Sequence, residues 1–142
     1  MGDLLYFAIL FGLGYMVGRR VEKRHYKSIE ERESKFLNLP AVTSKNLLED
    51  NVIIEKAEFV SGSVAIAGDF FKSILAGLRN LLGGEVAAYE TVLDRGRREA
   101  ILRLKESAIG ADIILNLRIE TSAIIKGCIE TFAYGTAVYY KK

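Results

Sequence analysis

The chain has 142 residues but only one cysteine, one histidine, one proline and no tryptophan. A single cysteine excludes an intrachain disulfide framework and is typical of a reducing compartment. Sites for soft metal ions need clusters of Cys or His at ligand spacing, which one copy of this chain cannot supply. Catalysis by a Ser-His-Asp or Cys-His set is also excluded, because His25 stands alone in a charged segment.

Charge is nearly balanced, with a formal net charge of +2, and half of the residues are hydrophobic. This composition excludes a disordered tail and a general nucleic-acid binder. The length suffices for one small domain with a hydrophobic core in addition to an N-terminal segment.

The N-terminal segment Leu4–Gly18 carries no charge, and it is followed by Arg19, Arg20, Lys23, Arg24 and Lys27. Its fifteen residues span about 22 Å as a helix, against a hydrocarbon core of about 30 Å, and the arginines can lengthen the span by snorkelling. We therefore predict an uncleaved transmembrane anchor. A secretory signal peptide and an interfacial helix are the alternatives, and the acidic start argues against the former.

Orientation follows from the basic residues, which stay on the cytoplasmic side and attract anionic headgroups. The prediction is a single-pass membrane protein with its N-terminus outside and its C-terminal domain in the cytoplasm. Within the anchor, Ala8 and Gly12 are four residues apart, as are Gly14 and Gly18. Such spacing of small residues lets membrane helices pack closely.

The pattern divides the chain into residues 1–18 as anchor, 19–38 as a charged helical stalk and 39–142 as an α+β domain. Pro40 disfavours helix in the residue before it. A short strand is predicted over Ala41–Ser44. A long β-branched strand, or a hairpin bent near Gly62, is predicted over Val52–Ala67.

Two helices and two strands complete the domain. Apolar residues at helical spacing predict helices over residues 70–82 and over Glu85–Ala108. Alternation predicts strands over Asp112–Ile124 and Cys128–Tyr140, joined by a turn at residues 126–127. The expected architecture is a transmembrane helix and stalk followed by a small β-β-α-α-β-β domain.

The domain resembles the YbjQ-like family, whose name refers to heavy-metal binding. The resemblance covers about residues 39–141 and is carried by these marks: Val60–Gly62, Asp69–Phe71, Leu78–Arg79, Gly83–Gly84, Ala88–Glu90, Gly110–Asp112 and Gly135–Val138. It implies a compact α+β subunit that assembles into a ring-like homo-oligomer, most often a pentamer, with no assigned biochemical function. The family is usually a free-standing domain, so an anchor and stalk would be a departure from it.

Two groups of residues are candidate ligand sites. Gly83 and Gly84 precede Glu85, Tyr89 and Glu90, where backbone amides, carboxylates and a hydroxyl could bind a small ligand. Helix capping explains the same carboxylates. The second group is a ring of Cys128 side chains, one from each copy, as a metal site. An ordinary half-buried cysteine in a strand is the alternative.

Charged and aromatic side chains of the domain have structural interpretations as well. Arg95, Arg97, Arg98 and Arg103 could bind an anion or a partner, or form a solvated helix face paired with nearby acids. The aromatic residues Phe132, Tyr134, Tyr139 and Tyr140 suit a sheet face or a subunit interface.

The leading hypothesis is a membrane-anchored, cytoplasm-facing homo-oligomer, a pentameric ring, that acts as a scaffold or sensor without catalytic activity. Its partners would be other copies of itself and the bilayer, with no nucleic acid. The alternative is a metal- or small-ligand-binding module that uses the Gly-Gly region or the ring of Cys128. The sequence identifies no cofactor.

Overall fold

The computed structural model describes residues 2–46, 52–67, 87–125 and 128–141. In chain order its elements are α1 (Gly2–Lys35), β1 (Ile54–Ala67), α2 (Ala87–Ser107), β2 (Ile113–Ile125) and β3 (Cys128–Tyr140). The predicted α+β class and the long helix and strands of the domain are confirmed. The helix predicted over residues 70–82 and the turn at 126–127 lie outside the described residues.

The three strands form an antiparallel sheet in the order β1-β3-β2. β3 lies in the centre, and β1 pairs with it from Ile54 to Ala67, so the strand does not fold into a hairpin. Ala41–Ser44, predicted as a short strand, instead makes one isolated parallel bridge to the outer edge of β2, between Ala41 and Ile114. The first strand of the predicted β-β-α-α-β-β order is therefore wrong, and the described sheet has three strands. Two backbone hydrogen bonds fix the register of Ala41–Ser44 against β2. The Val42 amide donates to the Ile114 carbonyl, and the Leu117 amide donates to the Val42 carbonyl.

α2 covers one face of the sheet, and the main hydrophobic core lies between them. The helix contributes Ala100, Leu104 and Ala108, which are fully buried, because its apolar residues recur at intervals of four. α2 approaches β1 very closely at Gly62, where a Cβ atom would lie 2.4 Å from the Ala100 carbonyl oxygen. Glycine at this position therefore sets the distance between the helix and the sheet.

β2 contains a bulge at Asn116 and Leu117, which face the single residue Gly135 of β3. Asn116 is the one non-glycine residue in the described chain with a positive φ, at 53°. The bulge changes which residues of β2 face α2: Ile114 does so before it, and Leu117 after it.

α1 is a continuous helix of 34 residues. No helix in the described part of the chain is long and apolar enough to cross a membrane. The prediction of a transmembrane anchor in the fold, and of a single-pass membrane localisation built on it, is therefore wrong. The physical reason is that the uncharged run is short for a bilayer, contains glycine and tyrosine, and is ended by Arg19.

Candidate functional site

The first half of α1 exposes a band of large apolar side chains, which we call the outward apolar face of α1. Its members are between 49% and 73% exposed. At 3.6 residues per turn they fall within an arc of about 160°, and no residue from Leu5 to Gly18 is charged. They are Leu5, Tyr6, Ile9, Leu10, Leu13, Met16, Val17 and Val21.

The opposite side of α1 faces the rest of the chain. Gly14 and Gly18 lie on this half-buried side, whereas a Cβ at Gly12 would meet nothing within 4 Å. Ala8 has no described side chain. The interpretation of these four residues as membrane packing positions depended on a membrane-spanning helix, which the described part of the chain does not contain.

The basic residues after the apolar run are all exposed: Arg19, Arg20, Lys23, Arg24 and Lys27. Arg19 lies over the ring of Tyr15, and Lys27 pairs with Glu31 at 3.8 Å. Several of these positions continue the outward arc, which thus changes from apolar to cationic near residue 19. Their role at a membrane surface was predicted together with the anchor and stays a prediction.

The second half of α1 packs against α2, and we call this contact the helix seam. At its centre Glu99 of α2 is 2% exposed and accepts hydrogen bonds from Arg32 of α1 and from Arg103. Burial opposes the charge of Glu99, yet the two guanidinium groups outweigh it and hold the pKa of this carboxyl below its usual range. Nε2 of His25 lies 3.9 Å from the same carboxylate.

Further along the seam, Arg98 of α2 donates two hydrogen bonds to Glu33 of α1, at 2.8 and 2.6 Å. These bonds lower the pKa of the Glu33 carboxyl. Lys105 donates to the Phe36 carbonyl at the end of α1, and Ile29 is fully buried. The second half of the predicted stalk thus packs against α2. Of the four arginines predicted as a solvated face, Arg98 bonds to α1, whereas Arg103 bonds to Glu99 of its own helix.

Two cavities border the seam. One of about 260 Å³ is lined by Gly18, Val21, Ala67, Val92 and Arg95, among others. Another, of about 310 Å³, lies near the end of α1, between Phe36 and Lys105. Each could admit a small molecule, but neither gathers a set of groups typical of catalysis.

The sheet face turned away from α2 carries aromatic rings, and we call it the aromatic sheet face. Phe132 and Tyr134 of β3 have ring centroids 5.4 Å apart, and Phe59 of β1 lies 6.2 Å from Tyr134. Phe59 is 69% exposed. The Tyr134 hydroxyl donates to Glu120 of β2 at 2.9 Å. Two of the four predicted interface aromatics thus lie together here, with Phe59, which the pattern did not single out.

The other two predicted aromatics do not join this cluster of rings. Tyr139 faces α2 and its hydroxyl donates to Glu58 at 2.5 Å. Tyr140 packs beside Ile113, Leu115 and Val138 in a small second core.

Most of the predicted Gly-Gly ligand site, Gly83, Gly84 and Glu85, lies outside the described residues. Tyr89 lies in the first turn of α2 without a described side chain, and Glu90 is exposed. Cys128 is a half-buried free cysteine at the start of β3. Among the described residues no group of three or more Cys, His, Asp or Glu side chains could hold a metal ion.

Arg32, Glu33 and Glu99 were not predicted as partners across the helix seam. Arg32 and Glu99 are 67 positions apart, and no local pattern signals such a pair. The sequence did contain one local indication: Ile101 and Leu102 are apolar although they lie away from the sheet-facing row of α2. The structure buries Leu102 and half-buries Ile101.

A family model described as "Putative heavy-metal-binding" matches residues 41–141. A UPF0145 protein of Hahella chejuensis is 36% identical over 103 residues, which cover 71% of this chain and 93% of the relative. A UPF0145 protein of Psychrobacter arcticus is 44% identical over 88 residues, and the match spans only 56% of that relative. A crystal structure of a Pediococcus pentosaceus protein of unknown function aligns with a TM-score of 0.39 at 16% identity, over 72% of this chain and 98% of that one.

Proposed function

Because the chain belongs to the YbjQ-like family, for which no biochemical function is assigned, we propose that it is a self-associating scaffold or sensor domain without catalytic activity. It would act by presenting several copies of one surface to a partner or ligand. A closed ring, the arrangement implied by the family resemblance, is the form of assembly proposed.

The observation that carries this proposal is the aromatic sheet face. Phe59, Phe132 and Tyr134 form a row of neighbouring rings, and the Phe59 side chain is 69% exposed. Aromatic residues are enriched at the buried centres of protein interfaces, where each ring contributes a large contact area at low entropic cost. Phe132 and Tyr134 are half-buried beside the exposed Phe59, and a cluster of apolar rings that reaches the surface is typical of an interaction surface.

The proposal is tested by the mass of the full chain in solution, measured by light scattering after size exclusion. We expect a defined oligomer for the native chain, and smaller species for Phe59→Ser. Ile109→Ser is the matched control, because Ile109 is 76% exposed but lies in the turn after α2. A native chain that is monomeric at micromolar concentration contradicts the proposal.

A second candidate function is metal binding, favoured by the description of the matched family. One copy offers no cluster among its described residues, so a site would need one Cys128 from each copy around an axis. Elemental analysis of the purified oligomer tests this, with Cys128→Ser as the comparison. Metal bound in less than one equivalent per oligomer, or retained by Cys128→Ser, excludes a site built from this residue.

A further inference from the structure

We propose that the outward apolar face of α1 packs against the same face of α1 in other copies of the chain, so that the first halves of these helices form a bundle. The inference rests on the proposed self-association and names a second surface for it, separate from the aromatic sheet face.

The first argument is the size of the exposed surface. The eight side chains follow about five turns of helix, and even Leu13, the least exposed, is 49% accessible. The last of them, Val21, also lines the cavity beside the helix seam. At about 100 Å² of apolar area for each side chain, the face offers roughly 800 Å² per copy. A stable protein interface buries about the same area on each partner.

The second argument is the spacing along the helix. Tyr6, Ile9, Leu13 and Met16 follow one another at intervals of three, four and three residues. This is the spacing of side chains that interdigitate between packed helices. An arc of about 160° is also wider than the seam of a two-stranded coiled coil, so each helix can contact two neighbours. The expected bundle therefore contains three or more copies.

The third argument is where the face ends. Arg20 occupies the next position of the same spacing, and Lys23, Arg24 and Lys27 follow on the same side. In a parallel bundle these cations of neighbouring copies would repel one another, which confines close packing to the first half of α1. Because salt screens that repulsion, the assembly should become tighter as ionic strength rises.

The first experiment compares the full native chain with Leu13→Glu, a charge at the middle of the face. We expect Leu13→Glu to lower the oligomer mass measured by light scattering, with the helical circular dichroism of the domain retained. Leu37→Glu is the control, because Leu37 is 77% exposed but lies beyond the end of α1. It should leave the mass unchanged.

The second experiment uses disulfide crosslinking in the Cys128→Ser background, which removes the only native cysteine. Leu13→Cys should form covalent dimers rapidly under mild oxidation, whereas Lys27→Cys, on the charged part of the same helix, should form few. Crosslinking introduces no charge into the apolar face, so it tests the packing of the helices even if Leu13→Glu fails to fold.

The outcomes separate this inference from the proposed function. If Phe59→Ser lowers the oligomer mass, Leu13→Glu does not, and Leu13→Cys forms no covalent dimers, the helix bundle is overturned. Self-association through the aromatic sheet face then remains. A monomeric native chain overturns both. Cosedimentation of the native chain with phosphatidylcholine–phosphatidylglycerol vesicles, lost in Leu13→Glu, also overturns the bundle, because lipid would then occupy the face.

Discussion

At the scale of single residues, Gly62 and Asn116 hold backbone arrangements that other side chains would disturb. Gly62 lies beneath α2 with backbone atoms of Ala100, Arg103 and Leu104 within 2.8 Å of the position of a Cβ. Backbone cannot move aside as the end of a flexible side chain can. Asn116 holds the bulge that turns Leu117 toward the core.

We predict that Gly62→Ala lowers the free energy of unfolding by about 2 kcal/mol, because α2 must move away from β1 to admit the methyl group. Urea denaturation followed by circular dichroism measures the change. Gly12→Ala is the opposite control: the position is open and lies inside a helix, so alanine should raise helix stability by up to about 1 kcal/mol. Equal midpoints for the two variants would contradict the close approach of α2.

At Asn116 we predict that glycine is tolerated and alanine is not. The backbone has φ of 53°, which costs about 1 kcal/mol for a residue with an ordinary Cβ, and the Asn116 Oδ1 is buried without a hydrogen-bond partner. Asn116→Gly should therefore match or exceed the native melting temperature, and Asn116→Ala should lie below it. A higher melting temperature for Asn116→Ala than for Asn116→Gly, measured by calorimetry, would contradict the bulge.

At the scale of elements, regular periodicity predicted the domain well. The helix expected over Glu85–Ala108 is α2, Ala87–Ser107, and the last two strands are within one residue of their predicted bounds. These elements bury one face each, so their sequence shows the period directly.

What could not be predicted depends on contacts between distant elements. Arg98 binds Glu33, 65 positions earlier, and such a pair leaves no mark in either local sequence. The bulge at Asn116 was not predicted, because the residue with a positive φ there is asparagine and not the glycine that usually marks such a position. The anchor was predicted because hydropathy alone does not distinguish a membrane span from an apolar helix face.

The helix seam gives a prediction about α1. Ile29 is fully buried although its neighbours on α1 are charged, so Ile29→Ala should cost about 3 kcal/mol of unfolding free energy. Ile109→Ala, at a side chain 76% exposed, should change it by less than about 0.5 kcal/mol. Urea titration of both variants is the measurement. An unchanged midpoint for Ile29→Ala would mean that α1 does not dock through this residue.

At the scale of the whole molecule, the charged seam makes folding sensitive to acid. Burial lowers the pKa of His25 despite the attraction of Glu99, and the arginines hold the Glu99 pKa below its usual range. In both cases the unfolded chain takes up protons at a higher pH than the folded chain. Stability must therefore fall as pH falls.

We predict two stages of destabilisation, the first below about pH 6.5 through His25 and the second below about pH 4.3 through Glu99. Glu99→Gln should lose about 2 kcal/mol at neutral pH, because two charge-assisted hydrogen bonds are weakened while Arg32 keeps its bond to Glu106. It should also show a weaker second stage. Chemical denaturation at a series of pH values measures this. A native and a Glu99→Gln profile of identical shape would contradict the role of the seam.

β1 lies at one edge of the described sheet, and two of its carbonyl groups accept hydrogen bonds from side chains of α2. Arg103 donates to the Ser63 carbonyl at 2.8 Å, and Ser107 donates to that of Ser61 at 3.3 Å. A strand from another chain that added to this edge would have to compete with α2 for both carbonyls, next to the close contact at Gly62. Residues 59–67 of β1 carry no charged side chain, and these contacts with α2 protect that part of the edge against pairing with a strand of another chain. Copies are thus left to associate through side chains rather than through a shared backbone ladder.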